Sequence, residues 1–408
     1  MTTEQPRLGR RGMLFLLIVL GAFPPLTMDI YLPALPQIAE TFGVARDAVN
    51  LTLGGYMVAY ACGMLFWGPL SEKFGRKPIL MIGLVLYVLA SIGCVFTHSI
   101  EPLIIFRVLQ GFGGGAVTVV ETSIVKDLYK GRERERILAT VMSLVVIAPL
   151  VAPVLGAALL KIASWHAIFV TLAVFGALAF ALVLLFRESL EHRYEGPVLK
   201  SWSRLGTVLR NPHFAYLVLL FGMAPMCLMA FIGSAAYIYI DGFGMSEQAF
   251  SLIFAMNALC ALFGPMLYLR LSRVMSVQTI IRVGFAVLVV SGVILVLFGD
   301  RSPWLFAACA ACATLAVVGL RVPGTNLILE QQQRDTGSAV ALIHFLTSML
   351  GAIAVQLVAA HSGDLTPTLG GLFIVVGVLC GLMWLAVQGR SFVTDNLSKR
   401  DDPEAVAS

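Results

Sequence analysis

Two charged side chains lie inside long apolar stretches of the sequence, where charge is rare. Asp29 follows Phe23-Pro24-Pro25 in the first stretch, and Arg107 lies in the fourth. A charge inside a bilayer is costly unless it pairs or faces a water-filled cavity, so both residues are candidates for ion or substrate binding. Arg107 lies roughly 8 Å in from the outer end of its helix, and Asp29 lies roughly 24 Å along a ~30 Å helix. These matching depths permit an ion pair, whereas an Asp29 at the outer interface would simply be solvated.

The helix that carries Arg107 has polar and small residues along one face. Arg107, Gln110, Gly111 and Gly114 are spaced at i, i+3, i+4 and i+7, which aligns them along the helix. Glycine lets a neighbouring helix approach closely, and an arginine on such a face needs a partner. Glu121 lies about 40° from this face. It is either a second titratable group on a transport path or a side chain that extends to the cytoplasmic interface.

The composition shows what kind of structure must position these residues. The chain has 408 residues, of which 59% are hydrophobic and 12% are charged, whereas soluble proteins carry about a quarter charged residues. It is therefore an integral membrane protein. Pro24 and Pro25 predict a bend in the first helix. Apolar runs recur about twelve times, at 14–35, 49–70, 79–97, 103–125, 137–160, 166–186, 214–239, 248–269, 280–299, 303–328, 338–360 and 367–388.

Charge outside these runs predicts the orientation of the chain. All but five of the 28 Lys and Arg residues fall in segments assigned to the cytoplasm, as the positive-inside rule requires. The basic character therefore reflects topology, and no nucleic-acid partner is expected. Residues 187–213 form a charged linker between two six-helix halves, 1–186 and 214–408, which is the organisation of transporters built from parallel repeats.

The second half contains fewer polar residues within its spans. Asn257, Arg321 and His344 are its polar outliers. Arg321 either contacts substrate or orients the helix near the cytoplasmic edge, and His344 either titrates or packs. Phe231 and Tyr237 either line an adaptable pocket or pack between helices. The seven cysteines lie in apolar spans and are expected to pack, and the sequence has no clustered His and Cys and no hydrolase or metalloprotease motif. Neither an enzyme nor a metal or cofactor site is predicted.

Three motifs together resemble a known family. The loop Gly68-Pro-Leu-Ser-Glu-Lys-Phe-Gly-Arg-Lys-Pro78 resembles the loop 2–3 signature of the major facilitator superfamily. In the fifth apolar run, Pro149, Pro153 and Gly156 resemble the antiporter motif of the superfamily's drug exporters. With Met28-Asp-Ile-Tyr-Leu-Pro-Ala-Leu-Pro36, the chain resembles the drug:proton antiporter branch. Within that branch it resembles the bicyclomycin- and chloramphenicol-resistance (Bcr/CflA) subgroup.

The resemblance implies an all-α integral membrane protein with twelve transmembrane helices in two six-helix bundles and both termini in the cytoplasm. It implies proton-coupled export of small hydrophobic or amphipathic compounds from the cell inner membrane. Export of a metabolite such as an amino acid, short peptide or siderophore-like molecule, or proton-linked uptake, is the alternative on the same fold. The expected partners are the substrate, protons and the lipid bilayer, and the protein is expected to be a monomer without a cofactor.

Residue roles follow from the same resemblance. Asp29, Arg107 and Glu121 are the candidates for proton coupling. Glu72, Arg76 and Asp127 would form a cytoplasmic charge relay, although Glu72 is one methylene longer than the family's usual Asp. Pro149, Pro153 and Gly156 are expected at a gate. The candidate substrate contacts are Asp29, Tyr31, Arg107, Gln110, Phe231, Tyr237, Asn257, Arg321 and His344.

Overall fold

The protein is described by a computed structural model that covers residues 5–129, 137, 148–190, 206, 208–331, 336–361 and 364–394. Within these ranges every regular element is a helix. Eleven helices are long and apolar enough to cross a membrane, and Ala148–Ile162 is a shorter apolar helix. Residues 138–147, the predicted start of the fifth span, and 191–205, most of the predicted linker, lie outside the described residues.

The chain divides into two compact units. The first unit comprises Met1–Trp202 and Ile240–Ala255. Its complete helices are α1 (Gly9–Gly21), α2 (Phe23–Asp29), α3 (Leu35–Phe42), α4 (Arg46–Phe74), α5 (Arg76–Val95), α6 (Ile100–Leu128), α7 (Ala148–Ile162) and α8 (His166–Leu185).

The second unit comprises Ser203–Tyr239 and Met256–Ser408. Its helices are α9 (Pro212–Ala236), α10 (Glu247–Leu271, whose start groups with the first unit), α11 (Val277–Phe298), α12 (Pro303–Glu330), α13 (Thr336–Ala359) and α14 (Leu365–Val387). A π-helical turn, Tyr237–Gly242, follows α9.

The first membrane span, Gly9–Phe42, is broken twice. Pro24 and Pro25 have no N–H to donate to the preceding turn, so the helical ladder is interrupted where α1 ends and α2 begins. A second break follows Asp29, the last residue of α2, and a short 3₁₀ turn, Leu32–Ala34, leads into α3. Breaks of this kind leave carbonyls without helical partners and place Asp29 at a helix end.

Glycines on α6 determine how closely the helices of the first unit pack. A Cβ at Gly111 would collide with the carbonyl oxygen of Tyr56 on α4. One turn further on, a Cβ at Gly115 would lie 2.5 Å from the carbonyl oxygen of Tyr60. On another face, a Cβ at Gly113 would lie 2.7 Å from the carbonyl oxygen of Gly83 on α5. The absence of side chains at these positions lets α6 pack directly on both backbones.

Candidate functional site

Arg107 is completely buried in the first unit and is surrounded by aromatic rings. Its guanidinium carbon lies 4.7 Å from the ring centre of Tyr31, 4.6 Å from that of Tyr56 and 5.9 Å from that of Phe169. A desolvated cation over an aromatic face gains about 2 kcal/mol. The close approach of α6 to α4 at Gly111 brings Tyr56 within reach of the guanidinium. The rings therefore offset part of the cost of burying this charge.

A hydrogen-bonded chain fixes one side of the guanidinium. Arg107 Nη1 donates to Gln110 Oε1 at 2.7 Å, and Gln110 Nε2 donates to Ser91 Oγ on α5 at 2.7 Å. Tyr31, which packs on the guanidinium, shares a 3.0 Å hydrogen bond with Thr52 Oγ1 on α4. Arg107 and Gln110 on α6 and Tyr31 in the break after α2, three of the predicted site residues, are thus brought together.

The other side of the guanidinium has no partner. In the described part of the chain, neither Nε nor Nη2 of Arg107 has a hydrogen-bond acceptor. A buried donor without an acceptor costs about 1–3 kcal/mol, and more when it is charged. Packing alone does not explain why the protein keeps two buried donors at this cost in stability. Both donors are available to an acceptor that enters the site.

Asp29 belongs to the same unit but does not form an ion pair with Arg107. Its side chain is 7% exposed and lies at the break after α2. An ion pair is formed elsewhere in this unit, between Arg76 and Asp127. The depths that the sequence predicted permit an Asp29–Arg107 pair, but in this arrangement the aromatic rings and Gln110 occupy the surroundings of Arg107 instead.

The motif in α7 packs directly behind the Asp29 break. A Cβ at Gly156 would collide with the carbonyl oxygen of Ile30 and lie 3.1 Å from Pro33 Cγ. Pro153 is buried one turn earlier, and Pro149 lies near the start of the described helix. Gly156 therefore lets α7 contact the backbone of the residue next to Asp29. A movement of α7 would for this reason displace the backbone at that break.

Glu121 is buried on α6. Its side chain is 7% exposed, and Oε2 accepts a hydrogen bond from Thr122 Oγ1 at 3.2 Å. Of the two alternatives for this residue, the structure favours a carboxyl group enclosed by protein over one extended into solvent. It has no ion pair with any residue that the structure describes.

A charged cluster lies at the loop between α4 and α5. Arg76 Nε donates to Asp127 Oδ2 at 2.9 Å, and Nη1 donates to Ser71 Oγ at 2.7 Å. Ser189 Oγ also donates to Asp127 Oδ2. Gly75, with φ of 107°, makes the turn into α5 in a conformation that other residues rarely adopt. Of the predicted relay, Arg76 and Asp127 are joined, whereas Glu72 is exposed and takes no part in the described hydrogen bonds of the cluster.

Glu188 is a member of this cluster that the sequence did not reveal. Its carboxylate accepts the backbone N–H groups of Arg76 at 3.0 Å and Lys77 at 3.1 Å. These are the first residues of α5, where a negative charge is favoured by unpaired N–H groups and the helix dipole. Lys77 Nζ in turn donates to the carbonyls of Leu184 and Phe186 at the end of α8. We name Arg76, Lys77, Asp127, Glu188 and Ser189 the cytoplasmic cluster, after the side of the membrane that the sequence predicts for this loop.

Two of the predicted substrate contacts in the second unit are buried aromatic side chains. Phe231 is 3% exposed and packs 6.2 Å from the ring of Phe306 on α12. Tyr237 is 2% exposed. Asn257 on α10 is also buried, and its Nδ2 lacks a hydrogen-bond partner among the described residues. Asn257 therefore keeps an unused donor among the described residues.

Arg321 and His344 differ from the other candidates because both side chains are exposed within membrane-spanning helices. They are close enough to interact electrostatically. Arg321 is in the middle of α12, and neither of the two side chains forms a hydrogen bond within the described ranges. These positions are therefore open to solvent-borne partners.

The family profile of the Major Facilitator Superfamily matches residues 17–356, most of the chain. The chain belongs to this superfamily. It is a secondary transporter and not an enzyme, and its eleven long apolar helices make it a multi-span membrane protein. Its bacterial relatives are consistent with a place in the cell inner membrane.

Members of the superfamily with named resistance functions are similar to this chain. It is 30% identical to the bicyclomycin resistance protein homologue of Haemophilus influenzae, with 85% of this chain and 88% of that protein covered. It is 31% identical to the chloramphenicol resistance protein of Pseudomonas aeruginosa, with 66% and 64% covered. These relatives agree with the Bcr/CflA-like assignment made from the motifs.

The fold is similar to that of solved transporters of the superfamily. A bacterial homologue of the human lysosomal transporter Spinster matches with a TM-score of 0.73 and 16% sequence identity, covering 98% of this chain and 100% of that one. At this level of identity the match concerns the fold alone. The first unit thus contains both the Arg107 site and the cytoplasmic cluster. Glu188 belongs to that cluster, whereas Glu72 does not.

Proposed function

We propose that the protein is a proton-coupled antiporter that exports small hydrophobic or amphipathic compounds. It would work as a monomer by alternating access, through twelve spans in two six-helix bundles, 1–186 and 214–408. The cytoplasmic linker 187–213 would join the bundles, and both termini would be cytoplasmic. The resistance functions of the similar proteins support this substrate class.

The observation that carries the proposal is the pair of unused donors on the buried Arg107, in a unit whose Asp29 carboxyl group has no ion pair among the described residues. Arg107 could use Nε and Nη2 together to bind a carboxylate, which is the geometry that arginine prefers. The arrangement described here, with Arg107 held by rings and Gln110, is the one expected when Asp29 carries a proton and needs no cation.

Loss of that proton would create the charge that Nε and Nη2 can bind. In the proposed cycle, Asp29 deprotonates toward the cytoplasm and engages Arg107, and the side chains around the pair then bind substrate. Proton entry from outside neutralises Asp29, returns Arg107 to the rings and releases substrate outward. Proton and substrate thereby exclude each other, as antiport requires. Glu121, enclosed on the same helix as Arg107, is proposed as a second coupling group.

The remaining residues have proposed supporting roles. The contact of Gly156 with Ile30 would transmit movement of α7 to the Asp29 break, with Pro149 and Pro153 allowing α7 to bend. The cytoplasmic cluster would stabilise one of the two access states. Glu72 is exposed in this arrangement, and its proposed relay role would require a different state.

The experiment uses inverted membrane vesicles with an acid interior, reported by quenching of a pH-sensitive dye. Chloramphenicol, bicyclomycin, lipophilic cations and dipeptides are added in turn. We expect at least one compound to dissipate the gradient with wild-type protein and with Asp300→Asn, an exposed acid used as the matched control. Asp29→Asn should give no response at equal expression. A full response with Asp29→Asn, or no response to any compound with wild type, would contradict the proposal.

The same assay separates the alternatives. A response confined to dipeptides would indicate metabolite export. In right-side-out vesicles, accumulation of a compound that requires an inward proton gradient would indicate uptake by symport.

A further inference from the structure

Arg321 lies on a helix face that is otherwise buried or partly buried. Thr314, Val317, Gly324 and Ile328 fall within about 60° of it around α12, and all four are buried. Cys312, which is exposed, lies roughly 180° away. The exposed face of α12 is therefore the one that carries Cys312. Arg321 is exposed on the other face, which packs against protein, so there is an opening in the packing at this position.

His344 occupies a comparable position on α13. Two exposed apolar residues of that helix, Ile353 and Leu357, lie roughly 180° and 220° from it, whereas the exposed Val340 lies roughly 40° from it. Thr347, one turn after His344, and Leu350 face Gly222 of α9. Phe221, the residue before Gly222, packs against Gly324 of α12, one turn after Arg321. The two basic side chains thus flank the same stretch of α9.

Among the described residues of its own unit, Arg321 has no counterion. The acidic residues that the structure describes there are Asp300, Glu330 and Asp364. Asp300 and Asp364 lie in the turns before α12 and α14, and Glu330 lies at the end of α12, roughly 180° around the helix from Arg321. None of them is on the Arg321 face. A guanidinium in a membrane span that lacks a protein partner must face water or a ligand.

We propose that Arg321, assisted by His344, is the binding site for an anionic group of the transported compound, so that the cargo is an amphipathic carboxylate. This rests on the proposed function in that the ligand is the transported molecule. A carboxylate neutralises the charge and uses two guanidinium donors at once, whereas a neutral carbonyl does neither. The apolar body of the cargo would lie against the surrounding helices, as in other small-molecule sites.

The test measures binding to purified full-length protein in detergent without added lipid. The probes share one ring system and differ only in charge: indole-3-acetate, the neutral indole-3-acetamide and the cationic tryptamine. Decanoate, decanamide and decylamine form a second matched series. We expect wild type to prefer the carboxylate of at least one series over its amide. Arg321→Gln should weaken carboxylate binding by roughly ten- to hundredfold and leave amide binding unchanged.

Two further variants and one control sharpen the result. Arg321→Lys keeps the charge but loses the planar pair of donors, and His344→Gln removes the assisting group, so both should weaken carboxylate binding by less than Arg321→Gln. Arg282→Gln is the control, because Arg282 is exposed on α11 and donates to Thr279 in the same helix. It should bind every probe like wild type. If Arg321→Gln does not fold, Arg321→Lys decides.

The proposal is overturned if neither carboxylate binds, if the carboxylate and amide bind equally, or if an Arg321 variant weakens both to the same extent. Equal competition by chloride or inorganic phosphate would replace an amphipathic cargo with a simple anion and would also overturn it. Binding in detergent needs no proton gradient. Failure of proton antiport in vesicles would therefore leave this result standing, and failure here would leave antiport of a neutral compound standing.

Discussion

In the two units, corresponding helix ends are held together by different kinds of interaction. In the first unit, the first turn of α5 is tied to the end of α8 by ions: Glu188 accepts the N–H groups of Arg76 and Lys77, and Lys77 Nζ donates to Phe186. In the second unit, the first turn of α11 is tied to the end of α14 by neutral groups. Gln278 Nε2 donates to the Gln388 carbonyl at 3.0 Å, and Trp384 Nε1 donates to the Gln278 carbonyl.

The contrast extends to the neighbouring helix ends. Arg76 and Asp127 form an ion pair in the first unit. In the second unit, Asn211 Nδ2 donates to the Gln331 carbonyl, and Gln331 Nε2 donates to the Phe392 carbonyl. Amide hydrogen bonds are thus sufficient to hold two neighbouring helix ends together, a connection that we call a joint. The ions of the first unit add a sensitivity to salt, hydration and protonation that amides lack, so we expect the first unit to contain the joint that changes during transport.

The largest expected effect comes from the buried cation of the first unit. Arg107→Gln should abolish gradient dissipation in inverted vesicles, because glutamine has neither the charge nor the paired donors that bind the Asp29 carboxylate in the proposed cycle. Folding should survive, since the substitution removes two unpaired buried donors and keeps a polar group near Gln110. Arg282→Gln, the exposed control, should transport like wild type. Normal transport by Arg107→Gln would remove this residue from the mechanism.

The next effect compares the two joints directly. Arg76→Gln removes the charge-assisted 2.9 Å hydrogen bond to Asp127, which should cost about 1.5–3 kcal/mol of stability. Gln278→Ala, in the corresponding joint, should cost about 0.5–1.5 kcal/mol. Thermal unfolding in detergent at low and high salt measures both changes.

The salt dependence of these costs tests whether one joint is ionic and the other is held by neutral hydrogen bonds. The cost of Arg76→Gln should shrink as salt rises, because salt already screens the wild-type pair. The cost of Gln278→Ala should stay constant. The same salt dependence for both variants would show that the ionic character of the first joint has no consequence.

A smaller effect distinguishes the two glutamates near the cluster. Glu188→Gln keeps one acceptor oxygen but replaces the other with an NH₂ group, so only one of the N–H groups of Arg76 and Lys77 keeps its acceptor. It also removes the charge that favours the start of α5, and the cost should be about 0.5–1.5 kcal/mol. Glu72→Gln should have no measurable effect on stability, because its side chain is exposed and outside the described cluster. Thermal unfolding of the two matched variants decides which glutamate belongs to the cluster, and the reverse order would contradict the assignment.

Hydropathy predicted the membrane spans well because the bilayer fixes their length and composition. The sixth run, predicted at 166–186, is His166–Leu185 in the structure. The proline pair likewise predicted the break after α1, since missing N–H groups are a local property. Depth along a helix could be counted from the sequence as well. Rotation about the helix axis could not, and for this reason the aromatic partners of Arg107 were not predicted.

Glu188 shows the same limit of prediction from the sequence. It lies just after the sixth span, inside the segment interpreted as a linker, and its partners are more than a hundred residues away. An acidic residue at a helix end is a weak signal, because it can serve any nearby helix start. Glu72, in contrast, lies within a recognisable motif but does not contact Arg76 in this arrangement. Motif membership predicted the loop, and only the three-dimensional structure shows which carboxylate the loop uses.

The most direct test of the account is proton release on substrate binding. Purified protein in weakly buffered detergent solution, with a pH indicator, is mixed with the compound that responds in the vesicle assay. The account predicts proton release by wild type and by Asp300→Asn as substrate binds, and none by Asp29→Asn. Equal release by Asp29→Asn, or binding by wild type without any release, would contradict the claim that proton and substrate exclude each other through Asp29.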